Sequence, residues 1–84
     1  MKSIEQKMIE AVNGAYSVKI GNTEVKNIDG VITVELHGNE IFRRYGATMT
    51  YSDGGYPSKT TASRLRALGA DCKFQRRPRA IIFA

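Results

Sequence analysis

Cysteine is nearly missing from this chain: Cys72 is the single one in 84 residues. No intramolecular disulfide can form, which fits a reducing compartment. Histidine is as scarce, with His37 alone, and one cysteine plus one histidine cannot build a zinc site of the usual kind. Long apolar runs are lacking too. Stretches such as Ala80 to Ala84 cover a few residues, against the roughly 20 of a membrane span. The start of the chain, Met1 to Glu10, is charged and amphipathic and has no apolar centre of the secretory-leader type, so a cytoplasmic protein without a membrane partner is expected. Paired carboxylates are missing as well. Asp53 and Asp71 stand alone beside glycine or alanine and read as loop residues. No catalytic residue, metal ligand or cofactor is therefore expected, and a hydrolase or nuclease is disfavoured.

Acid also thins out along the chain. Before Arg43 there are four lysines against six acids, a balance of −2; from Arg43 on there are nine cations against two acids, a balance of +7, and together they give the formal +5. Every arginine lies in the second part. Guanidinium forks match phosphate and carboxylate geometry better than ammonium groups do. The asymmetry points to a basic face for nucleic acid or for an acidic protein surface.

Hydrophobic residues make up 42% and charged residues 25%, the balance of one small globular domain over residues 1–84. A chain of this length buries only about 60% of its unfolded surface. Packing or a partner must supply the stability that disulfides and metals do not.

The pattern predicts an α+β fold. Ser3 and Gln6 have the spacing of a capping box, and Ile4, Met8, Ala11 and Val12 follow at helical period, so a helix is expected from Ile4 to a stop at Asn13-Gly14. The period then switches to two. Strands are expected at Tyr16–Ile20, Thr23–Ile28, Val31–His37, Glu40–Tyr45 and Ala47–Tyr51, with tight turns at Gly21-Asn22, Asp29-Gly30 and Gly38-Asn39. This is an antiparallel β-meander of about four to five strands. Ser52 to Gly55 reads as a loop. One short helix follows over Ser58 to Gly69, capped by Thr60 or Thr61, with Ala62, Leu65 and Leu68 as its buried stripe. Arg64 and Arg66 lie off that stripe and are expected to face water or a partner. A strand from Ala70 to Gln75 sets Cys72 and Phe74 on one face. Arg76-Arg77-Pro78-Arg79 reads as a basic loop, and Ala80 to Phe83 as a returning strand, which makes a C-terminal strand or hairpin.

His37 is expected to serve structure at its hairpin turn, with Glu40 as cross-turn neighbour. Cys72 is expected to be a buried small hydrophobe. Ser52-Asp53-Gly54-Gly55 and Lys59 lack the Walker spacing, although a helix N-terminus with Lys59 beside it can hold one phosphate. The candidate binding residues are Arg43, Arg44, Tyr56, Lys59, Arg64, Arg66, Arg76, Arg77 and Arg79. Tyr45, Tyr51 and Tyr56 are interleaved with them, and exposed rings among cations suit stacking with unpaired bases. At least two of these three tyrosines are expected to be partly buried in a thin sheet. Arg43 and Arg44, as strand neighbours, must point to opposite faces.

The stretch Val34-Glu35-Leu36-His37-Gly38-Asn39-Glu40-Ile41, and then Thr60-Thr61-Ala62-Ser63-Arg64-Leu65-Arg66-Ala67-Leu68 after Gly55-Tyr56, resembles a family of short bacteriophage accessory proteins. Its members carry a V-x-L-H-G-N-x-I hairpin, a Gly-aromatic turn and a T-T-x-S-R-L helix motif, then a strand that opens like Lys73-Phe74-Gln75. The likeness runs from about Lys19 to Phe83. Tyr56 stands where the family has Trp, and Arg66 where it has Asn. The resemblance implies a phage accessory protein acting in the cytoplasm of the infected host cell and brings no activity with it. Two functional readings follow. In the first, a non-enzymatic protein binds nucleic acid or a nucleoprotein through its arginine-rich C-terminal half. In the alternative, a protein-binding inhibitor docks on an acidic host factor or defence system, as an anti-CRISPR protein does. An open sheet edge also leaves room for a homodimer.

Overall fold

The computed structural model describes residues 3–84. Met1 and Lys2, which entered the charge balance and the reading of the N-terminal segment, lie outside the described residues. The order is α1 (Ile4–Gly14), β1 (Val18–Ile20), β2 (Thr23–Ile28), β3 (Val31–Leu36), β4 (Asn39–Tyr45), β5 (Thr48–Tyr51), α2 (Lys59–Ala67), β6 (Cys72–Arg76) and β7 (Arg79–Phe83). Strands β1 to β5 form one antiparallel sheet in sequence order, and β6 pairs with β7 as a separate hairpin. The expected α+β class, with its N-terminal helix, five-stranded meander, second helix and C-terminal hairpin, is what the chain adopts.

Helix α1 starts as its sequence predicts. Ser3 Oγ accepts from the Gln6 backbone N–H at 3.1 Å, and Gln6 Oε1 accepts from the Ser3 N–H at 2.8 Å. The helix runs one residue past the expected stop. Ala15, at φ 55 and ψ 45, takes the left-handed cap position in place of Gly14. The Tyr16 ring lies against Gly14, where an added Cβ would come within 2.8 Å of it. Gly14 is thus held by close approach of a ring and its neighbour turns the chain.

All four turns of the meander contain positive φ. Asp29 and Gly30 both have it, as do His37 and Gly38, whereas Gly21 alone does so in the first turn and Gly46 alone in the last. The β3–β4 turn is therefore His37-Gly38, one residue earlier than Gly38-Asn39. Histidine is among the side chains that tolerate the left-handed region.

The sheet buries one face. Val25, Ile32, Val34, Leu36 and Phe42 pack with Met8, Ala11 and Val12 of α1 and with Ala62 and Leu65 of α2, and Cys72 and Ile81 extend the same cluster into the hairpin. Ile41 and Phe42 are adjacent yet both buried, which a regular strand forbids. The register explains it. Val34 faces Phe42 but Glu35 faces Glu40, so Ile41 is an extra residue in a β-bulge. The bulge also sets Glu40 and Arg43 on one face, three residues apart, where they form an ion pair at 2.9 Å.

Candidate functional site

Seven of the nine candidate binding residues belong to α2, the segment that leads into it and the β6–β7 hairpin, so the local structure there decides what they can do. Helix α2 is capped by Ser58, not by Thr60 or Thr61. Ser58 Oγ accepts from the Thr61 backbone N–H at 3.1 Å and shares a hydroxyl bond with Thr61 Oγ1 at 2.9 Å. Buried Thr61 also donates to the Tyr56 carbonyl at 3.3 Å, and the Tyr56 N–H donates to the Asp53 carbonyl at 3.2 Å. Both sides of the Tyr56 backbone are thereby fixed while the residue stays 62% exposed.

The hairpin meets this ring. Register pairs Cys72 with Phe83, Phe74 with Ile81 and Arg76 with Arg79, so all six side chains share one face of the hairpin. That face is apolar at its base, where Cys72 and Ile81 are buried, and basic at its tip. Arg76 and Arg79 are strand residues rather than loop residues, and only Arg77 and Pro78 make the turn. The tip is tied by Gln75 Nε2 donating to the Pro78 carbonyl at 3.2 Å.

The result is a groove of about 310 Å3 between the start of α2 and the hairpin tip. Tyr56, Pro57 and Lys59 line one side, Phe74, Arg76 and Arg79 the other. The Arg79 guanidinium carbon stands 5.9 Å from the centre of the Tyr56 ring, a cation–π distance. No acid lines the groove. Among the described residues the ion pairs are Lys26–Glu35, Glu40–Arg43 and Glu5–Arg64, so Lys59, Arg76, Arg77 and Arg79 remain uncompensated.

The structure brings Tyr56, Lys59, Arg76 and Arg79 together, with Arg77 exposed at the adjoining turn. The other four candidates lie elsewhere. Arg43 sits on the sheet face opposite the helices, bidentate on Glu40, whose hydrogen bond and charge raise its pKa. Arg44 points the other way and donates to the Val12 carbonyl at 2.9 Å, closing the end of α1. Arg64 does not face water: it donates to Glu5 Oε2 at 2.8 Å and to Thr23 Oγ1 at 3.2 Å, and only 12% of its side chain is exposed. Arg66 is exposed and reaches the Cys72 carbonyl at 3.5 Å.

Of the tyrosines, only Tyr51 is partly buried. It packs on Phe42 with ring centres 5.5 Å apart and donates to the Leu68 carbonyl at 3.3 Å. Tyr45 and Tyr56 are both more than 60% exposed, so the expectation of two partly buried rings fails, because β4 turns Tyr45 toward the uncovered face. Phe74 and Pro57 were not among the candidates. The alternation Cys72, Phe74, Arg76 carried the signal for Phe74.

His37 bonds to a neighbouring turn rather than across its own. Its N–H donates to the Asn22 carbonyl at 2.8 Å, and its Nε2 lies 3.2 Å from Asn22 Nδ2. Cys72 is buried, 3.9 Å from the Ala62 carbonyl, and burial raises its thiol pKa above the ordinary value. Among the described residues no group of three or more histidine, cysteine, aspartate or glutamate side chains is placed to hold a metal, and no helix is long and apolar enough to cross a membrane.

Residues 1–82 match the family model described as Kyanoviridae Gp96 protein. Neither a curated protein nor a solved structure matches the chain.

Proposed function

The chain belongs to the Kyanoviridae Gp96 family of bacteriophage proteins, and from that premise we infer that it is a non-enzymatic accessory protein that binds nucleic acid in the groove between Tyr56 and the β6–β7 hairpin. One observation carries this reading: Arg76 and Arg79 are direct cross-strand partners with no acid in the groove between them and α2. Like charges placed opposite each other destabilise a strand pair. A bound anion removes that penalty, and a phosphate oxygen pair suits the guanidinium fork. Lys59 adds a third cation from the first turn of α2, where the helix dipole also favours negative charge. The exposed Tyr56 ring offers a base a surface to stack on.

Fluorescence anisotropy with labelled single-stranded and duplex oligonucleotides tests the reading. The protein is expected to bind the single strand at low salt. The variant Arg76→Glu, Arg77→Glu, Arg79→Glu should keep its far-UV circular dichroism and lose that binding. Full binding by the folded triple variant contradicts the assignment. Retention of one host protein complex from nuclease-treated lysate, with no binding to any oligonucleotide, favours the inhibitor reading instead.

A further inference from the structure

Beside the basic groove lies a cavity of about 460 Å3 that shares Tyr56 and Ser58 with it. That volume is in the range of small-molecule pockets. Its floor is apolar, made by the buried Leu36 and Ile41. Its polar residues come from three separate places: His37 and Asn39 beside the β3–β4 turn, Asp53 in the loop after β5, and Ser58, Thr60 and Thr61 at the start of α2.

These walls are held in place. Gly54 has φ 69, and a Cβ on it would stand 3.0 Å from Asn39 Cβ and 3.3 Å from Ile41 Cγ2, so the loop is seated directly on β4. Asp53 Oδ1 accepts from the Gly55 N–H at 2.7 Å, which aims that carboxylate. Thr23 Oγ1 donates to Asn22 Oδ1 at 3.2 Å, and this orients the Asn22 amide with its Nδ2 toward His37 Nε2. The imidazole is thereby anchored through Nε2.

A flat heteroaromatic ring has the matching character: apolar faces for Leu36, Ile41 and Tyr56, and a polar edge for the surrounding donors and acceptors. We propose that this cavity receives one unpaired nucleobase of the strand whose phosphates lie along Lys59, Arg76 and Arg79. The proposal rests on the nucleic-acid reading of the groove and adds selectivity to it. A paired base cannot enter without leaving its duplex, so single strands are preferred.

The test compares a ten-nucleotide single strand with an abasic sugar–phosphate chain of equal length and charge, by anisotropy. The wild-type protein should bind the base-bearing strand about tenfold more tightly. In Thr60→Trp, which sets a large ring into the cavity from an exposed helix position, that ratio should fall to about one. Methyl resonances of Leu36 and Ile41 in the wild-type protein should shift with the base-bearing strand and not with the abasic chain, a readout that needs no variant. Equal wild-type affinity for both chains, or methyl signals that stay still, overturns the proposal and leaves the groove reading standing. Binding of neither chain overturns both.

Discussion

At the residue scale, the arginines divide by partner rather than by position in the sequence. Arg64 is the clearest case. It joins α1 to α2 through Glu5, which also accepts from Ser63, and joins α2 to β2 through Thr23. Removing it leaves the partly buried Glu5 carboxylate without its counter-ion and the buried Thr23 hydroxyl without the donor that it accepts from. Arg64→Ala is expected to lower the unfolding free energy by about 2 kcal/mol, read from urea denaturation; an unchanged midpoint contradicts the structural role. Cys72 gives a pH-dependent case. Burial is the largest cause of its raised thiol pKa, Arg66 opposes it and Asp71 adds to it. The folded protein therefore holds this proton more tightly than the unfolded chain does. The stability it contributes is complete below the ordinary value of 9.0 and is lost as pH rises through the higher native value. Thermal unfolding followed from pH 8 upward, a range set by that ordinary thiol value, should show an alkaline loss that Cys72→Ala flattens. The burial of Cys72 was legible because it alternates with Phe74. The burial of Arg64 was not, since its partner lies 59 residues away on another helix.

At the element scale, the meander was legible because a glycine recurs at each of its turns and its strands alternate. What the alternation could not reveal was the bulge at Ile41. A one-residue slip there turns every later residue of β4 to the other face, and it is why Glu40 and Arg43 meet. The hairpin tip was misread for a related reason. Four residues with three arginines and a proline look like a loop, but a two-residue turn leaves Arg76 and Arg79 inside the ladder. The end of α1 offers a direct check. Ala15 adopts the left-handed conformation, which costs an L-residue about 1–2 kcal/mol. Glycine escapes that strain but loses more backbone entropy on folding, so Ala15→Gly should raise stability by about 0.5–1 kcal/mol. A lower melting temperature in the variant contradicts the assigned cap.

At the scale of the whole molecule, the net +5 describes two unlike parts. The uncovered sheet face balances its charges within itself through Lys26–Glu35 and Glu40–Arg43. The groove side keeps Lys59, Arg76, Arg77 and Arg79 uncompensated among the described residues. The sequence located the basic half but could not separate these two sets, because pairing depends on sheet register and helix packing. The sorting has a thermodynamic consequence. If these four cations each neutralise one phosphate of a single strand, the slope of log affinity against log salt should be about −3. That salt titration, by anisotropy on a labelled single strand, is the most direct measurement of the central claim. A slope near −3 for the wild-type protein, with no measurable binding at any salt concentration for the Arg76, Arg77, Arg79 charge-reversed variant, is the result expected. A slope near zero in the wild-type protein, or one left intact in that variant, contradicts a phosphate-binding groove.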